Sequence, residues 1–299
     1  MPTYDYIIIG AGASGMLLAD SLAKDPFFAS KSILLLEKEA KNKNDRTWCF
    51  WERGKGQFDE ILFKSWPKVH VAAENLNIKP DIAPYTYKML RGIDFYEFFI
   101  NRLNIYPNVE RIQDEVISLS ETEDNVLVKG KNGGYHGHHV FDSRFDYEKV
   151  KRESKYPVLQ QHFLGWFVKT DRSVFDEKAA SFMDFDIPQQ GNTRFMYVLP
   201  FSDKEALLEY TLFSESVLKK EEYESAIKDY LSSKLGIDNF EITEVEKGNI
   251  PMTCHNFTKE NTNRILKIGM AGGWAKASTG YTFYPSVKKV RRLVQHLKL

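Results

Sequence analysis

Between residues 10 and 15 the chain reads Gly-Ala-Gly-Ala-Ser-Gly, directly after the apolar run Tyr4-Asp5-Tyr6-Ile7-Ile8-Ile9 and directly before a helical stretch over 16–24. A buried strand that feeds a glycine-rich turn and then a helix is the first half of a dinucleotide-binding strand-helix-strand unit. Each glycine serves a mechanical purpose. Gly10 makes the tight turn, Gly12 lets backbone approach a pyrophosphate, and Gly15 packs helix against strand. The helix N-terminus then faces the phosphates and favours their negative charge. A second apolar run, 32–37, ends on Glu37, where a carboxylate accepts hydrogen bonds from a ribose and repels a 2′-phosphate, so FAD or NAD is expected rather than NADP. The α/β texture returns near residue 264, and this favours FAD.

A chain of 299 residues, 42% hydrophobic and 27% charged, is ordinary globular material for about two domains. Lys plus Arg and Asp plus Glu both number 41, so a broad basic surface for nucleic acid is not expected. The partner is a small molecule or a lipid. Cys49 and Cys254 lack metal-like spacing and fit a reducing compartment. His136, His138 and His139 follow Gly133-Gly134 without a carboxylate or cysteine to complete a site, so they read as a polar hairpin end and no metal is expected. The apolar runs are far shorter than the roughly 18 residues of a spanning helix, and no signal peptide opens the chain. The expectation is a cytoplasmic protein whose membrane contact is peripheral.

Residues 38–44 read as a solvated loop, 52–90 as short strands, 94–103 as a helix with Phe95, Phe98, Phe99 and Leu103 on one face. Residues 116–119 and 126–128 form a hairpin pattern, and 140–142 a further strand. After Pro157 the texture turns to β, with runs over 161–169, 180–185, 194–200 and 206–212, interrupted by a helix over 220–235. A buried strand is expected over 265–269, a glycine-rich turn over 269–273 and a closing helix from Pro285. The fold class is therefore α/β: a Rossmann-like FAD-binding domain (1–50, 91–155 and 260–299) interleaved with a mainly antiparallel β-sheet substrate domain (51–90 and 156–259). Asp142 and Arg144 either touch the cofactor or close a strand. The closing helix carries Lys288, Lys289, Arg291, Arg292 and Lys298 beside Val287, Val290, Val294 and Leu297. That pattern serves either an anionic lipid surface or the covering of the cofactor domain.

Four segments point to one family: Asp45-Arg46-Thr47-Trp48-Cys49-Phe50-Trp51, then Phe163-Leu164-Gly165-Trp166, then Phe195-Met196-Tyr197-Val198-Leu199-Pro200 with Leu208-Glu209-Tyr210-Thr211, and lastly the run from Gly272 to Tyr281. In that order they resemble the FAD-dependent bacterial lycopene cyclases. The resemblance implies closure of one or both ends of linear lycopene into β-ionone rings, yielding β-carotene at the inner-membrane surface. Reduced FAD is required, NADPH is its usual source, and there is no net redox change. It implies Glu209 as the acid, matching the family's Leu-Ile-Glu-Asp-Thr-type motif, with Tyr210 standing where many members have aspartate. A strand that puts Leu208 and Tyr210 on one face turns Glu209 to the other, toward a cavity or toward solvent. Trp166, Phe195 and Tyr197 are candidates to surround a cationic intermediate, although each also reads as core packing. Arg46 resembles the arginine beside the flavin pyrophosphate, Thr279 and Gly280 lie in the segment 276–281 that matches the family's segment near the flavin ring, and Gly272 and Gly273, earlier in the same run, are further cofactor-binding candidates. Ala277 replaces a proline there, and Met270 follows Gly269 where many flavoproteins carry an acid.

Two other classes fit the same residues: a redox flavoprotein, such as a monooxygenase or polyprenyl reductase, and a non-catalytic flavin-binding form. Family members usually continue through a further mostly helical, partly apolar segment, which keeps the shortened, non-catalytic form among the expectations.

Overall fold

The computed structural model describes residues 1–299. The chain separates into two compact units: Met1–Asn44 with Ile93–Tyr156 and Thr253–Leu299, and Asp45–Gly92 with Pro157–Met252.

In the first unit, strand Thr3–Ile9 pairs in parallel with Ile33–Glu37 on one side and Gly134–Asp142 on the other. Strand Val109–Gln113 extends the parallel part beyond Ile33–Glu37, and Ile265–Lys267 joins Gly134–Asp142 in parallel. The expected hairpin is Val116–Glu121 with Val126–Gly130, which is paired antiparallel onto the start of Gly134–Asp142. Both faces of the parallel strands are covered, which is why Ile7, Ile8, Ile33 and Leu34 are all fully buried instead of alternating. Helix Ala13–Ala23 makes the crossover between the first two strands, and helix Phe283–His296 packs along it through Val287, Val290 and Val294. Its apolar side is thus spent inside the protein, while Lys288, Lys289, Arg291 and Arg292 remain exposed. The helix starts two residues before Pro285, which sits in its first turn, where no backbone N–H donor is needed. One expectation is corrected: the strand after Arg264 stops at Lys267 with half-buried side chains, and Gly269–Gly272 is a 3-10 turn. Gly269 has φ +62°, outside the extended region a strand requires.

The second unit is built on a seven-stranded sheet, ordered Glu241–Met252, Leu159–Lys169, Glu205–Ser214, Arg194–Pro200, Ala179–Asp184, Lys68–Ala73 and Leu76–Ile78. Its pairings are antiparallel except between Ala179–Asp184 and Lys68–Ala73. Alternation along the strands gives the sheet two cores. Leu164, Trp166, Val168, Leu208 and Tyr210 face helix Lys220–Leu235, meeting its Tyr223, Ile227, Tyr230 and Leu231. Phe167, Leu199 and Leu207 face the other way, onto Trp66, Tyr87 and Met89 of a three-stranded sheet, Thr47–Arg53, Tyr85–Arg91 and Lys64–Trp66. The Trp66 indole donates to the Pro200 carbonyl at 2.9 Å and ties the two sheets together.

Candidate functional site

The glycine-rich turn of the first unit behaves as its sequence requires. Gly10 sits at φ +95°, and a Cβ there would lie 2.1 Å from Ser143 Oγ. A Cβ on Gly15 would lie 1.9 Å from the Gly10 carbonyl oxygen, so helix and turn touch through bare backbone. Gly12 is different: nothing lies within 4 Å of where its Cβ would be, and as N-cap it offers the helix no side-chain cap. The first-turn N–H groups are left for an outside acceptor. Glu37 reaches back so that its carboxylate accepts from the Ala11 amide at 2.6 Å. An open cleft of about 180 Å³ beside it is lined by Ala11, Met16, Leu35, Glu37, Lys41 and Arg111, among others. Bare backbone donors, room at Gly12 and an acid at the end of the second strand fit a dinucleotide.

Asp142 closes a strand. It is fully buried, takes a two-pronged contact from Arg144 (2.9 and 2.8 Å) and accepts from Lys267 at 2.9 Å. Burial alone would raise its pKa, but the guanidinium and ammonium hold the carboxyl below the usual carboxylate range. In the same unit, Gly272 and Gly273 end the 3-10 turn. A Cβ on Gly272 would strike the Lys267 carbonyl at 2.3 Å, and Gly273 has φ +66°. Gly280, also at φ +66°, donates to the Lys276 carbonyl at 2.8 Å, and Thr279 is exposed beside it.

The second unit holds the carboxyl cluster. Glu209 does turn away from Leu208 and Tyr210, and it is 7% exposed, so it faces the interior rather than solvent. It pairs across the sheet with Gly165 on one side and Tyr197 on the other. Gly165 is in turn paired with Glu246 on the next strand. Two carboxyls thus flank a residue without a side chain, on the same face of three adjacent strands. A Cβ on Gly165 would lie 2.6 Å from Glu209 Cγ, so the glycine makes the room that Glu209 occupies. The two are unequally served. Glu246 accepts from the Thr47 amide at 2.8 Å and the Thr47 hydroxyl at 2.5 Å, while no hydrogen bond reaches the Glu209 carboxyl. Burial, then the charge of Glu246, raises Glu209 well above the ordinary carboxylate range. Burial raises Glu246 as well, against the lowering effect of Thr47 and the Arg46 charge.

Beside the pair stand Cys49, Tyr87 and Tyr197. The two tyrosine hydroxyls hydrogen-bond each other and the Cys49 thiol. Burial pushes the thiol up to about 12 and Tyr197 well above its usual value, so both are neutral. Tyr197 also meets Phe182 edge-on at 6.3 Å, and Trp51 stands against Tyr87 at 4.8 Å and Phe182 at 5.3 Å. Phe195, two residues along the same face, packs between Phe185 and Phe213. The aromatic candidates therefore divide. Tyr197 and Phe195 share the Glu209 face, but Trp166 lies on the opposite one, packed in the core under helix Lys220–Leu235. Period-two alternation is the reason: Trp166 follows Gly165, so it must point the other way. Arg46 is exposed at the start of the Thr47 strand and donates to the Asp45 carbonyl.

Sequence reasoning did not find Glu246 or Tyr87, and it met Thr47 and Cys49 only within a family-like segment, not as members of this site. Glu246 lies in a strand whose other residues are largely exposed, so nothing in its neighbourhood sets it apart from a solvated glutamate. The only available signal was Gly165, a glycine inside a strand pattern, which marks a close approach by another group.

The family model described as lycopene cyclase protein matches residues 5–298. Solved structures of similar fold include a geranylgeranyl bacteriochlorophyll reductase-like protein from Thermoplasma acidophilum, at 13% identity and TM-score 0.73, covering 99% of this chain and 78% of that one. The p-nitrophenol 4-monooxygenase PnpA from Pseudomonas putida matches at 16% identity and TM-score 0.70, over 99% and 79% of the two chains. A variant of the halogenase PltM in complex with FAD matches at 13% and 0.70, over 98% and 68%. At such identities the likeness is one of fold. No curated protein sequence matches the chain.

Proposed function

The chain belongs to the lycopene cyclase family, and on that footing we propose that it closes the ends of linear lycopene into β-ionone rings, giving β-carotene without net redox change. The observation that carries this reading is Glu209, a buried carboxyl without a hydrogen bond and next to a second carboxyl. Such a group favours its neutral form and can act as a general acid at neutral pH. Its proton goes to the terminal alkene, the neighbouring alkene attacks the resulting tertiary cation, and the ring gives up one proton to a carboxylate. One proton enters and one leaves, so the acid is restored.

Tyr197, with Tyr87, Trp51 and Phe182 around it, offers aromatic faces to the positive charge. The Tyr197 hydroxyl and the Cys49 thiol, both held protonated, are poor nucleophiles, so the cation is not captured. Phe195 extends the same apolar wall. In our reading Gly10, Gly12, Gly15 and Glu37 hold FAD, with Arg46, Gly272, Gly273, Thr279 and Gly280 as further candidates for its recognition. Reduced FAD, with NADPH as its reductant, would supply electron density that favours positive charge. Lycopene is delivered from a membrane surface, which places the protein peripherally at the inner membrane.

The test supplies lycopene in liposomes with reduced FAD and separates the products by chromatography. Cyclised carotenoid is expected from the wild type, and Glu209→Gln should reduce it at least about a hundredfold while flavin stays bound. Flavin-loaded wild type that yields no cyclised product would sink the assignment.

A further inference from the structure

Glu209 is one of two buried carboxyls that flank Gly165, and the second, Glu246, has no part in the proposed cyclisation. The two strands that carry them are separated by one strand, so their backbones stand about 10 Å apart. Glu209 leans over Gly165, which pairs with Glu246 on its other side and carries no side chain to stand between the two. Their surroundings are asymmetric. Glu246 holds two hydrogen bonds from Thr47, both of which favour its ionised form, and has the Arg46 charge nearby. Glu209 has neither donor nor cation. Like charges at this separation in a buried setting resist double ionisation, and the proton stays on the member whose anion is worse served.

We propose that Glu246 is a positioning residue that acts through Glu209: anchored as an anion by the Thr47 amide and hydroxyl, it confines the shared proton to the unbonded Glu209 carboxyl. This rests on the reading of Glu209 as the acid. The groups facing the pair are Cys49, Tyr87 and Tyr197 on the side of the small sheet, Arg46 beside Thr47, and Glu244 on Glu246's own strand. Only Arg46 is a cation, and it acts on Glu246. No facing group therefore offsets the effect of Glu246 on Glu209. Gly165 has a defined part in this: any side chain there would force Glu209 aside and screen one carboxyl from the other.

Glu246→Gln tests it, because glutamine keeps the volume and can still bond Thr47 but carries no charge. Infrared titration of the flavin-loaded protein follows the carbonyl band of the protonated carboxyl. In the wild type a band that Glu209→Gln removes should persist at neutral pH. In Glu246→Gln its loss on raising the pH should move down by on the order of one pH unit. The falling limb of the cyclisation pH profile should move by the same amount, with kcat depressed above that limb and KM for lycopene little changed. Glu246→Asp, which restores the charge, should recover most of the shift. A band that titrates identically in wild type and Glu246→Gln would overturn the inference, whatever happens to lycopene. Loss of cyclisation at every pH in a folded, flavin-loaded Glu246→Gln would also overturn it, since Glu246 would then handle a substrate proton itself. A band that shifts in Glu246→Gln, in a protein whose wild type forms no cyclised carotenoid, would uphold the pairing and overturn only the cyclase assignment.

Discussion

Two buried carboxyl sites in this chain are perturbed in opposite directions, one because cations outweigh its burial and the other because none does. Asp142 is met by Arg144 and Lys267, so its folded pKa is lowered and its stabilising contribution, present above its ordinary range, is lost as pH falls through the folded value. Burial raises the folded pKa values of Glu209 and Glu246 from 4.5, and at Glu209 the charge of Glu246 adds to the rise. The folded state then binds more protons than the unfolded one above that value, so stability declines as pH rises through the folded values. Glu209→Gln cannot ionise and so escapes its share of this decline. Its melting temperature, measured from about pH 5 to about pH 9, is expected to gain on the wild type as the pH rises. A constant difference across that range would mean that Glu209 is not held protonated.

At the scale of elements, the glycine-rich turn and the Glu209 sheet use glycine for different ends. Gly15 is required by the fold itself, since its Cβ would overlap the Gly10 carbonyl. Gly12 is not: its backbone, at φ −78° and ψ −170°, suits any residue, and the space around its Cβ position is open. Its absent side chain matters only to a ligand. Gly12→Ala is therefore expected to leave the thermal midpoint of the flavin-free protein unchanged and to weaken FAD binding by more than about tenfold, roughly 1.4 kcal/mol, as read by flavin fluorescence. Wild-type affinity in that variant would place the pyrophosphate elsewhere. Gly165 combines both roles, because the crowding atoms belong to Glu209 and Leu207 rather than to the backbone of a turn.

For the molecule as a whole, fold and chemistry are separable. The architecture is similar to that of a reductase-like protein, a monooxygenase and a halogenase, so it does not choose between redox and isomerising work. Counting does: a cyclase should form many rings per NADPH consumed, whereas a reductase or monooxygenase consumes one for each turnover. A strict one-to-one ratio would return the chain to redox chemistry. Local pattern was enough for much of the architecture. The glycine turn, the helix over Lys220–Leu235 and most of the strands were legible because propensity, turn chemistry and hydrophobic period agreed there. The strand after Arg264 was misjudged in length, because an apolar run does not reveal that Gly269 turns left-handed. Face was legible too, since alternation alone sets Glu209 opposite Leu208 and Tyr210. Whether that face met solvent or a core was not, because it depends on the small sheet that covers it, drawn from a separate part of the chain. Nor could the sequence pair Glu209 with Glu246 or part Trp166 from Tyr197. Strand register brings together positions far apart in the chain, and only the folded sheet set Glu209 and Glu246 on either side of Gly165.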